Sequence, residues 1–354
     1  AYKYHGVTPF EPIDGKFIKK KTSVKAISYS QVFGNKMSEL MERDESVVVI
    51  TAAMLSGTGV ANLQTKYPDR VLDVGIAEGH AVTCSAGLAT TGNKPYVAIY
   101  STFLQRALDH IIHDVAVQKL PVRFLIDRAG FVGADGPTHH GMFDLTYLRM
   151  IPNMTIMVPR NGAELGCMIE FSFNYETGPL AIRYPRANTS ELDENQIPPL
   201  EFGKAQILRK GQNVALFAVG TMVEKAEKVA DLLEKHGVFA SVINARFVKP
   251  IDEDLVVELS RKAKLVVSLE ENTIQGGFGS AMLEILSKNK ICNPILQIGA
   301  PDLFIPQGSL EEQLNEAELN VEKIYGRVLE NLPEVVKKIR KKRTMEQKKR
   351  ASLY

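Results

Sequence analysis

Short apolar runs alternate along this chain with stretches in which apolar residues recur at helical spacing. Residues 47–51, 96–100, 122–126, 154–158 and 180–184 read as strands. Between them, helical spacing covers 31–42, 78–90, 104–118 and 163–175. Short strands alternating with helices predict an α/β fold whose mainly parallel sheet carries helices on both faces. Residues 187–201 are polar and contain Pro198 and Pro199, as linkers do. A second series follows: strands at 214–219, 240–244, 265–269 and 294–298, with helices at 223–236 and 281–286. The expected organisation is an extended connector over 1–22, an α/β domain over 23–186, a linker over 187–201, a smaller α/β domain over 202–335 and a tail over 336–354.

Bulk properties narrow the picture modestly. A length of 354 residues accommodates two domains with separate cores, and 45% apolar with 24% charged residues is ordinary for globular proteins. No apolar run reaches 18 residues, and the N-terminus has neither a signal-peptide core nor an initiating Met, which suggests a trimmed part of something longer. The scattered Cys84, Cys167 and Cys292 lack metal-type spacing and read as buried thiols in a reducing compartment. Between Lys337 and Arg350, nine Lys/Arg face only Glu346, a local charge of +8 that leaves −6 on the remainder. No aromatic residue interleaves these charges, so a solvated helix end explains them better than nucleic acid or a membrane surface.

The polar residues that core packing does not explain fall at strand ends. Val71–Asp73 runs through Gly75 into Glu78 at a helix start. Two readings of that acid stand level: a carboxylate favoured by the helix dipole, or a buried acid whose apolar neighbours raise its pKa for proton work. Phe103, beside Tyr100, Ser101 and Arg106, is either the first core residue of a helix or a flat ring for stacking on a heterocycle near Glu78. In the Gly-rich stretch from Arg128 to Gly141 lie Asp135, Thr138, His139 and His140. Adjacent histidines diverge and no third ligand recurs at a metal spacing, so acid/base or hydrogen-bonding work by His139 is the better reading. Arg128 and Arg186 end predicted strands, where parallel sheets bind ligands. Their forks suit a phosphate, although surface ion pairing would explain either one alone.

Together the stretches AIYSTFLQRALDHIIHDVAVQKLPV, DRAGFVGADGPTHHG, FDLTYLRMIPNM and AIRYPR, followed by ARFVKPID, EENTIQGGFGS and IGAPDLFIPQGS, resemble the 1-deoxy-D-xylulose 5-phosphate synthase family of the transketolase superfamily. The resemblance runs from about His5 to Leu332. It implies a pyrimidine-binding domain and a transketolase C-terminal-type domain, without the family's first domain and its metal motif. Thiamine diphosphate is the implied cofactor, with Mg2+ held in that other domain. The implied reaction condenses pyruvate with glyceraldehyde 3-phosphate, releasing carbon dioxide, at the entry to isoprenoid-precursor synthesis. The resemblance further implies a homodimer in a bacterial cytoplasm or plastid stroma.

On that resemblance Glu78 matches the glutamate that hydrogen-bonds the aminopyrimidine and favours its imino tautomer. Phe103 would stack on the pyrimidine, with Ile76 and Arg106 on the cofactor as well. Arg128 and Arg186 match the arginines that hold the aldehyde's phosphate, with Tyr100, Ser101 and Arg106 nearby. Asp135 and His139 match positions lining the substrate side and are expected, with Glu78, to be catalytic. Two other readings share the domain pair: the beta half of a two-chain 2-oxo-acid dehydrogenase, which lacks the DRAG-to-THHG stretch, and a non-catalytic remnant of the same fold.

Overall fold

The computed structural model describes residues 10–16, 26–189, 193–332 and 334. Most of the expected connector over 1–22 and all of the basic tail over 336–354 lie outside the described residues. Fourteen strands are described: β1 (Ile27–Ser28), β2 (Val47–Thr51), β3 (Val71–Asp73), β4 (Lys94–Tyr100), β5 (Arg123–Asp127), β6 (Thr155–Met157), β7 (Leu180–Arg183), β8 (Asn188–Thr189), β9 (Gln206–Arg209), β10 (Val214–Ala218), β11 (Ala240–Asn244), β12 (Phe247–Lys249), β13 (Leu265–Thr273) and β14 (Ile295–Ala300).

The larger sheet has the order β12-β6-β7-β5-β4-β2-β3, parallel throughout except for β12 against β6. Every residue of β2 and β5 is buried, as strands covered on both faces must be. Core side chains pack on both sides of this sheet. Phe33, Met37 and Leu40 from helix Tyr29–Arg43 lie on one face, and Ala81 and Val82 from helix Glu78–Thr90 lie on the other. Chain order runs outward from β2 to β3 and then jumps back across β2 to β4. The loops leaving β2 and β4 therefore part to opposite faces and open a crevice at the carboxyl ends of the strands. The smaller sheet has the order β14-β13-β10-β11-β9, with only β9 antiparallel.

Four sequence expectations need correction. The helix expected over 104–118 is a broken run: α-helix Ser101–Leu104, a 3-10 turn Gln105–Ala107, α-helix Leu108–His110 and a π-helical turn Ile111–Ala116. Apolar spacing is blind to such changes of winding. β12 comes from the second half of the chain yet closes the edge of the first sheet, so the two halves share a sheet. The stretch read as a linker is packed: β8 pairs antiparallel with β1, and Glu194 forms an ion pair with Lys36. Cys84 and Cys167 are half-buried free thiols, but Cys292 is exposed, since it sits in the connection between helix Phe278–Lys288 and β14.

A buried polar knot ties the halves together. Glu164, from helix Gly162–Phe173, accepts from Arg246 Nε at 2.9 Å and from Asn244 Nδ2 at 2.9 and 3.1 Å. Its second oxygen also accepts the Arg160 amide at 2.8 Å. Both charges of the pair are buried, so each depends on the other for solvation.

Candidate active site

The crevice beyond β2 and β4 is an open cleft of about 730 Å³ lined by Ala52–Met54, Ser56, Gly57, Asp73, Ile76, Glu78, Tyr100, Phe103, Arg106 and His139. Its floor is organised by backbone needs. Asp73, ending β3, accepts the amides of Ala53 at 2.7 Å and Gly75 at 3.0 Å, which fixes the turn leading to Glu78. Gly57 leaves room for the Tyr100 phenol: a Cβ there would fall 1.5 Å from its hydroxyl and displace it.

Glu78 opens helix Glu78–Thr90 and is only 3% exposed. Its Oε1 accepts from Arg106 Nη1 at 2.7 Å. The pair is lopsided, because the Arg106 side chain is 55% exposed and free to leave toward water. Phe103 is partly buried, and its ring has two sides to its packing. It packs on the core cluster and also lines the cleft, stacked near-parallel to Tyr100 at 5.9 Å. The Arg106 guanidinium lies 4.9 Å from the Phe103 ring, and His139 meets that ring edge-on at 5.3 Å. Ile76 projects at the rim, 80% exposed.

The second half of the site is the segment after β5. Arg128 has a left-handed backbone (φ +59°). Its guanidinium donates to Gly57 O at 2.7 Å, pairs with Asp127 Oδ1 at 3.0 Å and lies 3.9 Å from the Tyr100 ring centroid. Asp127 is fully buried, and burial pushes its carboxyl up while Arg128 and the Ser30 hydroxyl, 2.7 Å away, oppose that. Burial also raises the Tyr100 phenol, against the pull of Arg128. Arg186 donates to Asp135 Oδ2 at 2.5 Å and to Val132 O at 3.0 Å.

The two histidines part company. His139 faces the cleft, its Nδ1 2.9 Å from the Thr138 hydroxyl. His140 is buried: its Nδ1 accepts the Val132 amide at 3.3 Å, so Nε2 carries the proton toward Ile305 O at 3.1 Å. Burial holds its pKa below the usual histidine range, as suits a neutral structural pin.

Glu78, Phe103, Ile76, Arg106, Tyr100 and His139 thus share one cleft, and Arg128 borders it through Tyr100. Asp135 and Arg186 pair with each other beyond the residues that line it. Ser101 departs from expectation. It is buried against Gly141, where a Cβ would meet its Oγ at 2.6 Å, and it does not line the cleft. Sequence reasoning passed over Asp127 and Asp73. Each ends a strand with an acid after apolar residues, a signal no different from that of a solvated turn.

The transketolase pyrimidine-binding domain model matches residues 25–191 and the transketolase C-terminal domain model matches 203–324. The 1-deoxy-D-xylulose-5-phosphate synthase of Caldanaerobacter subterraneus subsp. tengcongensis is 47% identical over 333 residues, 94% of this chain and 53% of that protein. The synthase of Thermosynechococcus vestitus is 51% identical over 311 residues, 87% of this chain and 49% of that protein. The chain therefore spans about half the length of the curated relatives it matches. A solved structure described as a split gene transketolase, inactive beta4 tetramer, superposes with a TM-score of 0.77 at 30% identity, covering 87% of this chain and 98% of that one. A transketolase mutant from Pichia stipitis shares the fold at TM-score 0.71 and 17% identity, over 88% of this chain and 46% of its own.

Proposed function

The chain belongs to the 1-deoxy-D-xylulose-5-phosphate synthase family of the transketolase superfamily, and from that premise we propose that it forms the pyrimidine-binding and C-terminal part of a thiamine-diphosphate-dependent synthase. The whole enzyme would condense pyruvate with glyceraldehyde 3-phosphate, with loss of carbon dioxide, as a first step toward isoprenoid precursors. One observation carries the reading: a carboxylate 3% exposed lines the same cleft as a half-buried Phe103 ring and a histidine.

These residues fit the pyrimidine end of the cofactor. Bound thiamine diphosphate would supply the electron sink for decarboxylation. Glu78 would offer its carboxyl oxygen to a ring nitrogen and hold a proton there, in a site where little water competes. Phe103 would hold the ring flat. Arg106 now neutralises Glu78, so its release toward solvent would accompany binding. The buried carboxylate it leaves would then need the ring nitrogen as its new partner.

Around the reacting carbons, His139 would hold or donate a proton at its free ring nitrogen, and Asp135 would orient the substrate hydroxyls. Arg128 and Arg186 would grip the aldehyde phosphate. Arg128 is held in place by Asp127 and Gly57 O, and Arg186 by Asp135 and Val132 O. Ser101 would act only through packing, by setting the turn that carries Phe103.

Among the described residues no group of three or more His, Cys, Asp or Glu could hold a metal ion. Mg2+ and the diphosphate would be held by a further domain, on this polypeptide or another, and the present chain would be inactive without it. Assembly into a dimer or higher oligomer, in a bacterial cytoplasm, completes the proposal.

Glu78→Ala in the assembled enzyme tests it. Turnover should fall by about 100-fold or more, the scale of lost proton-transfer catalysis, with an unchanged circular dichroism spectrum. Turnover within a few-fold of wild type would remove the assigned role.

A further inference from the structure

The loop that carries Asp135 and His139 is braced from the other half of the molecule. The Phe131 amide donates to Glu271 Oε1 at 2.8 Å, and a Cβ on the neighbouring Gly130 would fall 2.4 Å from that oxygen. His140 reaches Ile305 O. The tightest brace is Gln313, 1% exposed on helix Leu310–Glu316. Its Oε1 accepts the Gly133 amide at 2.8 Å, while its Nε2 donates back to Gly133 O at 2.8 Å and to Pro306 O at 3.0 Å. Every polar group of that side chain is thereby used. A capping box between Ser309 and Glu312 fixes the start of the helix and with it the direction of Gln313.

Gly133 begins the 3-10 turn that ends at Asp135, so the clamp acts within the turn that presents the acid to Arg186. Gly133 (φ +73°) and Gly136 (φ +71°) flank that acid with backbone conformations that other residues rarely adopt. A turn bounded by glycines has little rigidity of its own and depends on an external clamp.

We propose that Gln313 is a positioning residue for the aldehyde-phosphate end of the site. Its amide locks the Gly133–Asp135 turn so that Asp135 meets Arg186, and this geometry sets affinity for the phosphorylated aldehyde. The inference rests on the reading above that Asp135 and Arg186 contact that substrate.

Hydrogen exchange of the full chain reads the clamp directly, and steady-state kinetics of the assembled enzyme reads its consequence. Gln313→Leu should speed amide exchange across 131–141 by about tenfold or more, one lost clamp in a glycine-bounded turn. Glu316→Gln, an exposed change on the same helix, should leave exchange unchanged. In the assembled enzyme, KM for glyceraldehyde 3-phosphate should rise about tenfold while kcat and the pyruvate KM stay within about twofold. Should Gln313→Leu fail to fold, Gln313→Asn replaces it. That variant keeps a neutral amide but is one methylene too short to hold both Gly133 contacts, and the same split is expected at reduced size.

Unchanged loop exchange overturns the proposal, as does a uniform fall in kcat with no change in aldehyde KM. Arg186→Ala separates the two levels of inference. If it raises aldehyde KM while a loosened loop does not, the Gln313 proposal fails alone. If neither variant moves that KM, the reading of the phosphate site fails.

Discussion

Glu78, which follows β3, and Glu270, which lies within β13, are both buried acids with different surroundings. Glu78 faces an open cleft and pairs with one half-exposed arginine. Glu270, wholly buried in β13, accepts the Phe278 and Gly279 amides at 2.8 Å each, at the start of helix Phe278–Lys288. A Cβ on Gly277 would fall 2.2 Å from Glu270 Oε2, so the backbone packs directly against that carboxylate. Burial alone therefore does not mark an acid as chemical. What distinguishes Glu78 is a partner that can leave and a space for another to enter.

The same contrast separates the sheets. In the larger sheet the strand ends spread side chains around a crevice. In the smaller one the β13 acids Glu270 and Glu271 are taken up by backbone amides and by Thr221. The second half of the molecule acts as a brace, and the first half carries the cleft.

Three changes would break or sharpen that contrast. Glu164→Ala strips Arg246 of its buried partner at the junction of the halves. A loss of about 3–5 kcal/mol is expected, because the remaining charge stays desolvated. Urea denaturation would show it, and a loss below about 1 kcal/mol would mean the junction relaxes and rehydrates.

Glu270 offers a pH signature of its scaffold role. Burial pushes its carboxyl up to about 7 from an ordinary 4.5, against the two amides. An acid raised on folding binds its proton more tightly in the native state. Its stabilising contribution is complete below pH 4.5 and is lost as pH climbs to about 7. Against Glu270→Gln, the wild-type chain should lose roughly 3 kcal/mol across that window. Parallel stability profiles would place the proton elsewhere. The smallest effect belongs to Arg186→Ala, whose side chain is 43% exposed. KM for the phosphorylated aldehyde should rise about tenfold, as one charge-assisted contact predicts; an equal rise for pyruvate would argue against phosphate recognition.

The strands of the larger sheet were legible because each is a short apolar run between breakers, and β2 and β5 are buried throughout. Glu78, Phe103 and Arg128 were legible as polar or aromatic residues at strand ends, and the family resemblance gave them roles. β12 was not. Three residues carry no period, and their pairing with β6 is set by a fold nearly a hundred residues away. Gln313 gave no local sign either, since a glutamine on a short helix looks solvent-exposed until the loop it clamps is in place. Ser101 misled for the opposite reason: it sits within the motif but faces Gly141.

The most direct measurement compares kcat and thermal midpoint for Glu78→Gln and Glu270→Gln in the assembled enzyme. The account predicts that Glu78→Gln loses turnover by about 100-fold with its midpoint nearly unmoved, whereas Glu270→Gln lowers the midpoint and keeps most of its turnover. If Glu78→Gln instead unfolds early and retains activity, the cleft is scaffold and the account is wrong.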